Sequence, residues 1–219
     1  MGPFEGVIFD CDGVLVNSEP IANQVLATYL TEEIGFAITA EESHHRFTGM
    51  VFFQIEDLLR ADHGLEMPKG WVEQHFEALY VRYRKELEAV PGTIALIDAL
   101  DATGIPWGVA SQSAPDYLEF VLDLIGIGDR ARGRIASSKD VKHPKPAPDV
   151  YLLACQKVGC DPIRTAVVED SPTGTRAGVA AGCTVFGHAL DRPAAELISA
   201  GAVTAVQEML ALRPYLTGS

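Results

Sequence analysis

Short apolar runs that alternate with helical stretches dominate the chain from Pro91 onward. Each run is rich in β-branched residues and is bounded by Gly, Pro or Asp, and the stretches between the runs repeat apolar residues at helical spacing. Short apolar runs of this kind are typical of strands that are buried on both faces of a parallel sheet. The pattern therefore predicts an open, doubly wound α/β domain, whose site lies at the carboxyl ends of its strands.

One more short apolar run, at residues 7–9, opens the chain, and the residues between it and Pro91 carry only helical signals. We therefore predict that residues 1–17 and 89–219 form the α/β core and that residues 18–88 form a smaller, inserted, all-helical domain. The predicted strands lie at 7–9, 107–110, 134–136, 165–168, 184–186 and 203–206. The predicted core helices lie at 93–103, 115–125, 147–158, 173–181 and 192–199, with one more at the end.

The acidic balance of the chain limits its partners. There are 30 acidic and 17 basic residues, which give a formal charge of −13, and no tract is rich in Lys or Arg. Because such a surface has little attraction for a nucleic-acid backbone or an anionic membrane, we exclude both as partners. The four cysteines lack metal or disulfide spacing, and no signal-like or long apolar segment occurs. We expect a cytoplasmic protein with free thiols.

Two aspartates follow the first predicted strand. The alternation of a strand places Asp10 and Asp12 on one side of the chain, and Gly13 gives the backbone freedom for a tight turn. Such a pair can divide its work, with Asp10 attacking phosphorus and Asp12 exchanging protons with the leaving alcohol and with water. The alternative interpretation is a helix N-cap or a solvated turn.

A second acidic pair, Glu169 and Asp170, follows a later predicted strand. Mg²⁺ prefers oxygen ligands and usually takes one or two carboxylates together with phosphate and water. The predicted magnesium ligands are Asp10, Asp12 through its carbonyl, Asp170 and also Glu169. The alternative role for Asp170 or Ser171 is to cap the helix that follows.

Two further segments offer groups that suit a phosphate. Ser111 and Gln112 follow a predicted strand, and the Ser111 hydroxyl and a helix-start backbone amide suit a phosphate oxygen. Lys145 lies between two prolines at a helix entry, which restrains its backbone, and a fixed cation suits a transferring phosphoryl group. The alternatives are an ordinary helix cap for Ser111 and a solvated surface position for Lys145.

The order of these segments, D-x-D-G-V-L, an apolar strand that ends in Ser, K-P-x-P-D and V-V-E-D-S, strongly resembles the haloacid dehalogenase superfamily. The resemblance covers essentially the whole chain and implies a Rossmann-like core, and the helical insertion is similar to the cap of the β-phosphoglucomutase-like subgroup. It implies that Asp10 is the nucleophile, Asp12 the general acid and base, Ser111 and Lys145 the phosphate anchors, and Glu169 and Asp170 the metal-side carboxylates.

Departures from the pattern of that subgroup favour a phosphatase over a mutase. A sugar-phosphate mutase is expected to carry a cap histidine where residues 17–22 read N-S-E-P-I-A, and an arginine after Gly49, where residues 50–53 read M-V-F-F. We therefore expect Mg²⁺-dependent hydrolysis of a sugar or sugar-acid phosphate through an aspartyl phosphate. The alternatives are a mutase of the β-phosphoglucomutase type and a non-catalytic binding protein on the same fold.

The predicted cap is expected to close over the core and to select the substrate, a small phosphorylated metabolite. Arg46, His44 and His45 are further candidates to meet an acidic or hydroxylated substrate, although adjacent histidines on a charged helix more often face solvent. Phe52 and Phe53 have the alternative role of packing inside the cap. A monomer is expected, with a dimer as the alternative. The candidate lining residues are Thr48, Gly49, Met50 and Phe53.

Overall fold

The computed structural model describes residues 4–47 and 50–218, which fold as two compact units. The sheet unit consists of the chain up to Asn17 and from Glu88 onward, and the helical unit is the segment Ser18–Leu87. The chain leaves and re-enters the sheet unit at adjacent points, because the backbone N–H of Asn17 donates to the carbonyl of Glu88 at 3.1 Å. No helix in the described ranges is long and apolar enough to cross a membrane.

A six-stranded parallel sheet forms the centre of the sheet unit, and its strand order is β3-β2-β1-β4-β5-β6. The direction in which strands are added reverses between β1 and β4, and such a switch point is where ligands bind in doubly wound folds. The predicted fold class is confirmed. The strands are β1 (Gly6–Phe9), β2 (Trp107–Ser111), β3 (Ile135–Ser137), β4 (Thr165–Glu169), β5 (Thr184–His188) and β6 (Thr204–Val206).

The helical unit has its own apolar core, to which Leu30, Leu59 and Trp71 contribute buried side chains. Gly64 ends the third helix in the left-handed region, with φ +65°, which glycine adopts without strain. The helices of this unit are α1 (Glu19–Glu32), α2 (Ala40–Phe47), α3 (Phe52–His63) and α4 (Trp71–Glu86).

The helices of the sheet unit agree with the predicted ones to within two residues at each end, except that the short α7 was not predicted. Strands β1, β2 and β4 are buried along their whole length, as strands covered by helices on both faces must be. The helices are α5 (Thr93–Thr103), α6 (Pro115–Leu124), α7 (Gly128–Ala131), α8 (Asp149–Val158), α9 (Pro172–Ala180), α10 (Ala194–Ala200) and α11 (Arg213–Thr217).

Candidate active site

The carboxyl ends of three neighbouring strands bring the predicted residues of the sheet unit together. Asp10 follows β1, and its backbone N–H donates to the Val168 carbonyl in β4 at 2.9 Å, which ties it to the centre of the sheet. Ser111 is the last residue of β2, and Glu169 is the last residue of β4. Because parallel strands end at the same edge, residues that are far apart in sequence meet at the switch point.

Lys145 reaches this edge from the loop before α8 and is buried. Its Nζ donates to Asp10 Oδ1 at 2.7 Å, to Glu169 Oε1 at 2.7 Å and to the Ala110 carbonyl at 3.2 Å. A solvated surface position for Lys145, the alternative considered from the sequence, is therefore wrong. The single ammonium group is shared by two buried carboxylates.

Both oxygens of Glu169 are engaged. Oε1 accepts from Lys145 and, at 2.8 Å, from the Tyr151 hydroxyl, while Oε2 accepts from the backbone N–H of Ser171 at 2.8 Å and from its hydroxyl at 2.9 Å. Tyr151 was not predicted from the sequence. The only signal for it is a tyrosine in the apolar run Val150–Leu153, a position where burial of its hydroxyl requires a partner.

Two buried carboxylates that share one cation titrate differently. Burial raises the pKa of Asp10 to about 7, although Lys145 opposes the shift, and the neighbouring Glu169 adds to it. Burial would also raise the pKa of Glu169, but Lys145 and the hydrogen bonds from Ser171 and Tyr151 outweigh it and lower that pKa. The same lysine therefore lies beside one carboxyl group whose pKa is raised and one whose pKa is lowered.

The same edge has the donor set for a metal ion. Oxygen atoms of Asp10, Glu169 and Asp170 lie within 4.8 Å of one another, and Lys145 forms ion pairs with the first two of these carboxylates. A divalent cation that prefers oxygen would supply the missing charge, so the residues fit a metal. Ser171, not Asp170, caps α9, because its hydroxyl accepts from the Gly174 N–H at 3.0 Å.

The carboxylate of Asp12 is held by hydroxyl groups. Its Oδ1 accepts from the Tyr117 hydroxyl at 2.6 Å, and its Oδ2 accepts from the Ser113 hydroxyl at 3.0 Å. The turn beneath it has the predicted form, since Gly13 has φ +76°, and His188 Nδ1 lies 2.8 Å from the Gly13 carbonyl oxygen. Neither Ser113 nor Tyr117 was predicted, because neither belongs to a sequence motif.

Ser111 is buried at the site, but one part of its predicted role is wrong. Helix α6 begins at Pro115 with Ala114 as its N-cap, so Ser111 offers neither a helix-start amide nor a cap. The Ser111 hydroxyl instead accepts from the backbone N–H of Ser113 at 3.1 Å. Gln112, predicted to bind substrate, has an exposed side chain beside this site.

The candidates in the helical unit differ in their surroundings. Thr48 and Gly49 lie outside the described residues. Met50 and Phe53 are 38% and 65% exposed, so packing in the unit's core is wrong for Phe53. Phe52 does pack there, with its ring centre 5.3 Å from that of Trp71.

Two of the three basic candidates of the helical unit, Arg46 and His44, have partners within that unit. The Arg46 guanidinium lies 2.7 Å from His63 Nε2 and 3.5 Å from Asp62. His44 is half-buried, with its Nδ1 3.8 Å from Glu19, and His45 is exposed. Exposure of His45 agrees with the solvent-facing alternative.

Comparison with known proteins identifies a hydrolase family, two phosphatases and a solved hydrolase structure that are similar to this chain. Residues 4–182 match the family of haloacid dehalogenase-like hydrolases. The chain is 30% identical to 6-phosphogluconate phosphatase of Escherichia coli K12, over 85% of this chain and 83% of that protein, and 31% identical to hexitol phosphatase A of the same strain, over 87% and 84%. A solved structure of a haloacid dehalogenase family hydrolase from Deinococcus radiodurans, with bound phosphate and sodium, superposes with a TM-score of 0.85 at 33% identity, covering 98% of this chain and 95% of that one.

Proposed function

Because the chain belongs to the haloacid dehalogenase-like hydrolases, we propose that it is a phosphatase that hydrolyses a small phosphorylated metabolite of the sugar or sugar-acid phosphate class. The observation that carries the proposal is the contrast between two aspartates. Asp10 accepts from Lys145 and lies within 4.8 Å of the acidic pair, while Asp12 is bound by two hydroxyls. Two carboxylates in different environments can divide the nucleophilic and the acid–base roles. The curated relatives named above are phosphatases of this substrate class.

In the first step, an oxygen of the Asp10 carboxylate attacks phosphorus, and the bond between phosphorus and the ester oxygen breaks. The electron pair of that bond goes to the leaving oxygen, which receives a proton from Asp12, so an alcohol departs and an aspartyl phosphate remains. Lys145 Nζ, 2.7 Å from Asp10 Oδ1, provides positive charge where the transferring group is negative. Ser111 is a second candidate to contact the phosphoryl oxygens.

In the second step, water attacks the phosphorus of the aspartyl phosphate while Asp12 takes a proton from that water. The bond between phosphorus and the Asp10 oxygen breaks, inorganic phosphate leaves, and Asp10 regains its carboxylate. Asp12 again carries the proton for the next leaving alcohol. Each proton that Asp12 gives in the first step is therefore recovered in the second.

Mg²⁺ is the metal we propose for the acidic edge, held by Asp10, Asp170 and the Asp12 carbonyl, whereas the two oxygens of Glu169 already accept four hydrogen bonds. When bound, it would neutralise negative charge on the phosphoryl oxygens and on the attacking carboxylate. Burial raises the pKa of Asp10 to about 7, and an added positive charge would favour the ionised carboxylate that attacks phosphorus.

Release of inorganic phosphate tests the proposal. A panel of sugar and sugar-acid phosphates, with p-nitrophenyl phosphate as a general substrate, is expected to give phosphate with Mg²⁺ and none with excess chelator. Asp10→Asn is expected to abolish release, whereas Asp116→Asn, an exposed aspartate at the start of α6, serves as the matched control. Full activity of Asp10→Asn would refute the mechanism. Conversion of a sugar phosphate to an isomer without release would identify a mutase instead.

A binding test distinguishes a catalytic site from a non-catalytic protein on the same fold. Mg²⁺ with fluoroberyllate, which resembles a phosphoryl group on a carboxylate, is expected to raise the melting temperature by mass action. An unchanged melting temperature together with no phosphate release would favour the non-catalytic protein. The cytoplasmic location and the monomer stay predictions.

A further inference from the structure

The carboxylate of Asp12 is fixed through both of its oxygens by residues outside the family motifs. The Tyr117 hydroxyl donates to Oδ1 at 2.6 Å, and the Ser113 hydroxyl donates to Oδ2 at 3.0 Å. An O–H···O⁻ bond of 2.5–2.7 Å is in the range of strong, charge-assisted hydrogen bonds. The Tyr117 bond therefore makes the larger contribution to fixing this side chain.

The position of the Tyr117 hydroxyl is itself well determined. Tyr117 lies in the first turn of α6, three residues after the N-cap Ala114, and the next residue, Leu118, is fully buried and anchors the helix. A tyrosine side chain has two rotatable bonds before a rigid ring, so its hydroxyl moves little once the ring is half-buried. By contrast, Ser113 lies in the loop between β2 and α6.

We propose that Tyr117 is a positioning residue that holds the Asp12 carboxyl group in the orientation from which it gives its proton to the leaving alcohol. The proposal rests on the phosphatase function and adds a residue to it. Proton transfer in a transition state requires a donor within hydrogen-bond distance and at the correct angle. A carboxyl group that is bound through only one oxygen can rotate away from that geometry, whereas one bound through both cannot rotate without losing a bond.

The proposal predicts a dependence on the leaving group. An alkoxide is a poor leaving group and needs the proton, whereas p-nitrophenolate is a stable anion and leaves without one. Loss of the Tyr117 hydroxyl should therefore lower kcat/KM for an alkyl phosphate and spare kcat/KM for p-nitrophenyl phosphate. The ratio kcat/KM is the appropriate quantity because it reports the steps up to departure of the alcohol and excludes hydrolysis of the aspartyl phosphate.

Tyr117→Phe removes only the hydroxyl, and Tyr215→Phe, in α11, is the matched control. General acid catalysis contributes about 10²–10⁴-fold, so we expect Tyr117→Phe to lower kcat/KM for the best sugar phosphate about tenfold and for p-nitrophenyl phosphate less than about twofold. The control should lower neither. In an Asp12→Asn background, Tyr117→Phe should cause no further loss with the sugar phosphate, because the hydroxyl acts through Asp12.

The outcomes distinguish this proposal from the phosphatase function. If the parent protein releases no phosphate from any ester, the phosphatase function fails and this proposal fails with it. If the parent is active but Tyr117→Phe lowers kcat/KM for both substrates equally, or for neither, only the positioning role is refuted. An additive loss in the Asp12→Asn background would also refute it, since the hydroxyl would then act independently of Asp12.

Discussion

Acid should weaken the helical unit through one buried histidine, His75 in α4. Its side chain is 3% exposed and packs against the ring of Phe52, with ring centres 5.1 Å apart. Its Nδ1 has no hydrogen-bond partner among the described residues. Burial lowers the pKa of His75 from 6.5 to about 4, because a charged imidazolium would lose its hydration in these apolar surroundings.

The sign and size of the effect follow from linkage. Since the folded protein binds this proton more weakly than the unfolded chain, the stabilisation is complete above about pH 6.5 and is lost as the pH falls toward 4. With a pKa of 6.5 in the unfolded chain and about 4 in the folded one, lowering the pH from about 7 to about 5 should reduce the free energy of unfolding by about 2 kcal/mol.

The two tryptophans allow this loss to be measured in one unit at a time. Trp71 belongs to the helical unit and Trp107 to the sheet unit, so two ¹⁹F resonances of a protein labelled with 5-fluorotryptophan would report urea unfolding of each unit. In the parent protein, the free energy of unfolding reported by Trp71 should fall by about 2 kcal/mol more between about pH 7 and about pH 5 than it does in His75→Leu. The exposed His45, changed to Leu, is the control for removing a histidine from the same unit. An unchanged pH dependence in His75→Leu would refute the reasoning.

Three further predictions concern the sheet unit. Gly13→Ala and Gly133→Ala both place a side chain on left-handed backbone, at φ +76° and +79°, and should each cost about 1–2 kcal/mol in urea unfolding. Only the Cβ at Gly13 would lie 2.5 Å from Asp170 Oδ2, so only that variant should also lose phosphatase activity; equal activities would contradict the geometry. His188→Asn can keep the hydrogen bond to the Gly13 carbonyl, whereas His188→Gln cannot, so the Asn variant should be about 1 kcal/mol more stable. A higher melting temperature for the Gln variant would contradict this role of the hydrogen bond. Lys145→Met leaves two buried carboxylates unpaired and should cost about 3–5 kcal/mol, measured through Trp107; a loss below about 1 kcal/mol would argue against the shared ion pair.

The strand ends were predictable from the sequence because two independent signals coincide there. Short apolar runs mark buried strands, and acids directly after them, such as Asp10 and Glu169, must lie on one edge once the sheet is parallel. The fold class follows from the same signals. A helix start was predictable where a cap and a proline occur together, as at Ser171 before α9.

The partners of those residues depend on packing, which periodicity does not encode. Lys145 was predicted as a cation for phosphate, but its sharing between two carboxylates depends on where the loop before α8 meets β1 and β4. Tyr117 and Tyr151 are single tyrosines on helices, and only the tertiary structure brings their hydroxyls to an acid. The predicted start of α6 at residue 115 agrees with the structure, but Pro115 takes the first helical position and leaves Ala114, not Ser111, as the cap.

The adjacent exit and return of the chain have a consequence for how such proteins diversify. The hydrogen bond between Asn17 and Glu88 closes the sheet unit at the base of the insertion, so the two ends of the insertion begin side by side. A segment whose ends lie this close can be replaced as a whole, because another segment with adjacent ends can be joined at the same two points without moving any strand of the sheet. Recombination between relatives at these two residues would therefore transfer a whole helical unit while leaving the carboxylates and the lysine of the sheet unit in place.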